Sequence, residues 1–195
     1  MATLVASMLA ALTIVSAQPH MDNTYWLNVQ TDAHKVANYA RQMGYEEDSL
    51  FITELQRMWW EAQDELDKME RIIAHLIWYE AGSDGCSDRH QQLVGQVVLN
   101  RIRAKIWGNN IVEVIGRQGQ YACAKRVFNA YLNDEPPAGI TQRCYDNARV
   151  VIRGNAVECP PNVIYQAEIV QGSIYEKHYD RACGTTTYFC VGRVN

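Results

Sequence analysis

Residues 72–85 read IIAHLIWYEAGSDG and residues 93–105 read LVGQVVLNRIRAK, and these two stretches decide the fold. In the first, Ile72, Ile73, Leu76 and Ile77 recur at i, i+1, i+4 and i+5, the spacing of one helical face. Asp67-Lys-Met-Glu70 ahead of it has the form of a capping box, and Gly82 marks its end. In the second, Leu93, Val94, Val97, Val98 and Ile102 share a face, with Asp88-x-x-Gln91 as the start signal. Further along, NNIVEVIG (109–116) predicts a short helix, RQGQYACA (117–124) a loop, and TQRCYDNARVVIRG (141–154) a helix stopped by Gly154. Beyond Pro160-Pro161 the periodicity changes. NVIYQAEIV (162–170), GSIYEKHY (172–179) and TTYFCV (186–191) are rich in β-branched and aromatic residues and predict a small antiparallel sheet. Helices first and strands afterwards define an α+β class.

Working back toward the start, QPHMDNTYWLNVQ (18–30) reads as a linker. Thr31 or Asp32 caps a helix through HKVANYARQM (34–43), ended by Gly44, and Asp48/Ser49 opens another. Residues 1–17 carry no charged side chain and contain an apolar run followed by small residues at Val15-Ser16-Ala17. That is the pattern of a signal peptide or a membrane anchor. The expected organisation is therefore a leader or anchor at 1–17, a linker and helical arm at 18–66, and a main domain at 67–195.

The 195 residues are 48% hydrophobic, ample for a core and against wholesale disorder. Eighteen basic against 22 acidic side chains give a net charge of −4, without the basic excess that a nucleic-acid binder uses to neutralise phosphate. Six cysteines form no C-x-x-C pair, so structural zinc is not expected. Behind an export-like leader they read as up to three disulfides. A local pair, Cys183–Cys190, would close a hairpin.

Glu80 closes an apolar helix between Trp78-Tyr79 and Ala81-Gly82. The negative end of the helix dipole and the aromatic neighbours both disfavour an ionised carboxylate there. A carboxylic acid that keeps its proton is what glycosidic cleavage requires, since the leaving oxygen must be protonated. An ordinary helix-end glutamate in solvent is the plainer reading of the same residue.

The chain resembles the cell-wall hydrolase family that includes the spore-cortex-lytic enzymes. Four elements carry the resemblance in order: Glu80-Ala81, then Val97-Val98-Leu99-Asn100-Arg101, then Asn110-Ile111 through Val114-Ile115, then Gly119-Gln120-Tyr121. NVIYQAEIVQGS (162–173) is similar to the family's C-terminal strand region. The family's E-A-R-G-E segment is altered, with Gly82 in place of Arg and Asp84 in place of the second Glu. Two extra residues, including Cys86, precede the VVLNR helix.

The resemblance implies a lysozyme-like α+β domain acting on peptidoglycan glycan strands, with Glu80 as the essential acid. Gln120, Tyr121, Tyr165 and Gln166 would bind the sugars; Asp84, Asp88 and Glu113 are the candidates for a second carboxylate, and none matches a catalytic position of the family strongly. A single working glutamate implies a lytic transglycosylase, which needs no metal and no organic cofactor. A catalytically silent glycan-binding or scaffold protein of the same fold is the alternative. Arg101 reads as a structural pairing residue, and RIRAK (101–105) as a solvated helix face or a surface for anionic glycan. His75 and His90 read as core histidines. Cys86 and Cys123 flank the site and are expected to pair and brace it.

Overall fold

The computed structural model describes residues 23–44, 46, 50–154 and 158–193. The leader reading of residues 1–17 and the Asp48/Ser49 cap lie outside the described residues. Among those described are α1 (Asn23–Gln42), α2 (Leu50–Ala81), α3 (Asp88–Ala104), α4 (Ile111–Gly116), α5 (Ala124–Leu132) and α6 (Gln142–Ile152). Three strands follow: β1 (Val163–Ala167), β2 (Ser173–Asp180) and β3 (Thr185–Val191). The class is α+β, as the order of sequence patterns requires. No helix among the described residues is long and apolar enough to cross a membrane.

The chain divides into two compact units between Lys68 and Met69. In the first, α1 begins at Asn23, so most of the expected linker is helix. The Thr31/Asp32 cap is overturned: no Gly or Pro interrupts residues 23–42, both residues are interior to the helix, and Val29, Ala33, Ala37 and Ala40 form a buried stripe on either side of them in sequence. Ala37 and Ala40 cluster with Ile52 and Leu55 of α2. Gln30 Nε2 donates to Gln63 Oε1 at 2.6 Å. Gly44 adopts the left-handed conformation expected after a helix end, at φ 84°.

The capping-box reading of Asp67-Lys-Met-Glu70 is overturned: α2 is one helix of 32 residues. Both acids have partners that an interior position allows. Asp67 accepts from Gln63 at 2.7 Å, one turn back. Glu70 accepts from Arg153 at 2.6 Å and Arg149 at 3.3 Å. A local cap motif is a start signal only where the preceding backbone is not already helical, and nothing from Leu50 onward breaks the helix.

In the second unit, Ile72, Ile73, Leu76 and Ile77 are fully buried, as are Leu93, Val94, Val97, Val98 and Ile102 of α3. Gly95 permits the close packing, because a Cβ there would stand 3.0 Å from Ile73 and 3.3 Å from Val151. The N-cap of α3 is Ser87, whose hydroxyl accepts from His90 N at 3.1 Å. Helix α4 is capped by Asn110, which accepts from Glu113 N at 3.0 Å. Helix α5 was not anticipated; AKRVFNAYL buries only Val127.

The sheet order is β1-β3-β2, all antiparallel. The β1–β3 pairing slips between Val163 and Tyr165, leaving Ile164 outside the register. Its carbonyl is taken by Arg101 Nε of α3 at 2.8 Å. Asn100 Nδ2 donates to the carbonyls of Pro160 and Val163, both at 2.9 Å. The Asn-Arg pair of VVLNR thus docks β1 onto α3 through three side-chain bonds to backbone.

On the other side of α3, His90 is 1% exposed and stacks on His178 with ring centroids 5.0 Å apart. Phe189 lies edge-on to both rings, at 5.7 Å and 5.9 Å. Neither His90 nitrogen has a hydrogen-bond partner. Burial, and then the neighbouring His178, push its pKa down to about 4, while Asp180 and Glu176 oppose the shift. The unfolded chain takes up this proton near pH 6.5 but the folded chain does so only near pH 4. Stability from this site is therefore complete above pH 6.5 and is lost as the pH falls to about 4, by about 3 kcal/mol. His90→Leu should flatten that part of the profile, measured as urea midpoints at pH 7 and pH 4.5.

Candidate active site

Glu80 stands in the last turn of α2, half-buried. The helix stops just beyond it. A Cβ at position 82 would collide with the carbonyl oxygen and ring of Trp78, so the Gly82 backbone folds back where a larger residue does not fit. The Glu80 carboxyl is held from two sides. Cys123 Sγ donates to Oε1 at 3.1 Å. Gln166 Nε2 of β1 donates to Oε2 at 3.4 Å. Burial, followed by the adjoining Glu80, raises the Cys123 pKa, so it is present as a thiol and remains a donor.

Next to this pair opens a cleft of about 850 Å³. Its walls include Gln120 and Gly119 from the α4–α5 loop, Tyr165 and Gln166 from β1, Trp107 and Arg101 from α3 and its exit, and Arg193 beyond β3. Gln120, Tyr165 and Gln166 are thereby brought together, with Glu80 bonded to Gln166. Trp107 and Tyr165 meet edge-on, their ring centroids 6.0 Å apart, an aromatic wall of the kind that receives sugar rings.

Tyr121 is placed differently from its neighbour. It is 7% exposed and packs behind the cleft wall, its ring centroid 5.0 Å from the Arg101 guanidinium carbon. Burial pushes its pKa up to about 12, and its hydroxyl has no partner. Asp84 is exposed on the loop after α2 and does not line the cleft. That loop is anchored elsewhere. Asp180, at the end of β2, accepts from Ser83 Oγ at 2.6 Å and from Ala182 N at 2.8 Å. The Ser83 bond, above all, holds the Asp180 pKa at about 2.

The two expected cysteine pairs do not form, and all six cysteines are free thiols. Cys123 turns to Glu80, while Cys86 lies against Asp180 Oδ2 at 3.5 Å. Cys183 is in the turn before β3, whereas Cys190 sits near the far end of that strand, opposite Ile174. An extended strand separates residues at about 3.3 Å each, too far for a bond between its two ends. His75 is buried, as expected of a core histidine, with Tyr145 at 3.4 Å.

The reading of one polar residue changes. Arg101 is not on a solvated face: it is 3% exposed and lies against the Trp107 ring at 4.8 Å. Trp107 and Asp180 carried no functional expectation. The only available signal for Trp107 was an aromatic residue beside a glycine between two helices, a pattern shared by many structural residues.

A family model described as Cell Wall Hydrolase matches residues 85–189, more than half of the chain. The match begins after Glu80 and takes in α3, the α4–α5 loop and nearly all of the sheet that form the cleft. No curated protein and no solved structure matches. The chain belongs to the cell wall hydrolase family, hydrolases that act on the peptidoglycan of the wall.

Proposed function

We propose that this protein cleaves the β-1,4 glycosidic bond between N-acetylmuramic acid and N-acetylglucosamine, as a lytic transglycosylase with Glu80 as general acid and base. The observation that carries the reading is the Glu80 carboxyl, bonded to the cleft-lining Gln166, beside a cleft whose own lining contains no carboxylate. A two-carboxylate glycosidase places its acids on opposite sides of the scissile bond. Asp84, a candidate partner, is exposed on the loop after α2, whereas Glu80 is bonded to the lining residue Gln166. A single acid is sufficient if the substrate supplies the nucleophile.

In that route Glu80 donates its proton to the glycosidic oxygen as the C1–O bond breaks. The substrate's N-acetyl carbonyl stabilises the positive charge at C1. Glu80, now a carboxylate, takes the proton of the 6-hydroxyl on the same muramoyl residue as that oxygen bonds C1. The products are a free 4-hydroxyl and a 1,6-anhydromuramoyl end, and no water is consumed. Gln120, Tyr165 and Gln166 hold the sugars, with Tyr121 supporting the wall from behind. The catalytic domain is residues 67–195 and residues 18–66 form a helical arm. Residues 1–17 direct the chain to the outer face of the membrane, where its substrate lies.

Digestion of purified sacculi followed by mass spectrometry of the released ends tests the reaction. Anhydromuramoyl ends are expected. Reducing muramic ends would instead establish water as the nucleophile and overturn the transglycosylase route.

A further inference from the structure

The cleft bears a charge that the chain as a whole does not. In a protein of net charge −4, its lining includes two cations, Arg101 and Arg193, and no carboxylate. Arg193 is exposed at the rim, but Arg101 is 3% exposed. A buried guanidinium is normally paired with an acid, because taking a charge out of water costs several kcal/mol unless an opposite charge compensates. Here Nε donates to the Ile164 carbonyl at 2.8 Å, but among the described residues Nη1 has no hydrogen-bond partner and no acid forms an ion pair with the side chain. The Trp107 and Tyr121 rings, 4.8 Å and 5.0 Å from the guanidinium carbon, offset part of the cost without neutralising the charge. The Tyr121 hydroxyl beside it is also buried without a partner.

We infer that Arg101 forms a carboxylate-binding subsite of the cleft that recognises an acidic sugar. The inference rests on the reading of the cleft as the glycan site. Arg101 stands among the aromatic and amide side chains suited to sugar rings, so the carboxylate is one carried on the ring itself. In peptidoglycan that is the lactyl carboxylate of a muramic acid without its stem peptide. A carboxylate of the stem peptide is the second source of the same chemistry. A charge-assisted bond to a desolvated arginine discriminates by about tenfold or more against a neutral amide.

The test uses the full chain carrying Glu80→Gln, so that strands stay uncut, with binding read by calorimetry. Three ligands are compared: peptide-free glycan strands, the same strands with their carboxylates converted to methylamides, and strands with stem peptides intact. The peptide-free strands should bind at least about tenfold more tightly than the amidated ones. Adding Arg101→Gln should bring the two affinities together by weakening only the first. Equal affinity for free and amidated strands overturns the inference. Tightest binding to peptide-bearing strands, lost on amidation, assigns the carboxylate to the peptide and overturns the lactyl assignment. Should the Arg101 variant fail to fold, the contrast between ligands on the Glu80→Gln protein still decides. Because the readout is binding, it is separate from the role of Glu80; a wrong assignment of that residue shows as cut strands.

Discussion

Glu80→Gln should release soluble glycan from sacculi about 10²–10⁴ times more slowly than the wild type, the range lost when a general acid is removed. The substitution preserves shape and removes only the transferable proton. Its surroundings can absorb it. The new carbonyl oxygen still accepts from Cys123, and the new amide can donate to Gln166 Oε1, an atom that is buried and unpartnered in the wild type. A turn of the Gln166 amide is all that this exchange requires. Circular dichroism and the urea midpoint should therefore match the wild type while turnover collapses. Glu80→Asp should also be slow, because a carboxyl shortened by one methylene is withdrawn from the scissile oxygen. Turnover within tenfold of wild type in the Gln variant would remove Glu80 from the mechanism, and absence of turnover in the wild type would leave the scaffold reading of the fold.

Asn100→Ala should destabilise the second unit by about 2–5 kcal/mol, among the larger effects of a single polar substitution. Asn100 has no exposed surface and gives its amide hydrogens to two carbonyls, of Pro160 and Val163, while its own oxygen accepts from Gln96 at 3.2 Å. Truncation takes the Asn100 donor from the buried Val163 carbonyl, at about 1–3 kcal/mol, and leaves Gln96 without its acceptor, while the part-buried Pro160 carbonyl keeps the Val163 N–H at 3.0 Å. The void adds to this. Asn100→Asp should be as damaging, since a carboxylate facing two carbonyl oxygens repels where the amide donated. The effect should also reach activity, because Asn100 holds the start of the strand that carries Tyr165 and Gln166. Thermal unfolding measures the first effect and sacculus turnover the second. A loss of activity at a temperature where the variant is fully folded would separate positioning of β1 from stability. A midpoint unchanged within 2 °C would show that the Val163 carbonyl finds another donor.

The candidate site is legible chiefly through the resemblance to the cell wall hydrolase family, which singles out Glu80, Gln120, Tyr165 and Gln166. Local patterns alone mark Glu80 only as a carboxylate at the end of an apolar helix, which an ordinary glutamate in solvent would also explain. What local patterns misjudged were polar residues at the borders of an apolar face. Arg101 occupies a position that a helical wheel cannot assign to solvent or core, and the run RIRAK suggests solvent. Its burial follows from the bulge in β1, which frees the Ile164 carbonyl to receive it. Asp67 to Glu70 failed in the opposite way: the cap motif is sound chemistry placed inside a helix that had already formed. The cysteines failed for want of geometry, since spacing along the chain says nothing about which carboxylate a thiol meets.

By itself, the sequence determined the main helices and strands of the second unit and the α+β class, because periodicity and caps act over one or two turns of chain. Only the tertiary structure decided that Gln166 reaches Glu80 across a separation of 86 residues, and that Arg101 is buried without an acid in the cleft wall. Both depend on how β1 docks against α3. That docking is set by side-chain bonds to a bulged backbone, and no local run of residues encodes which distant carbonyl will be left free.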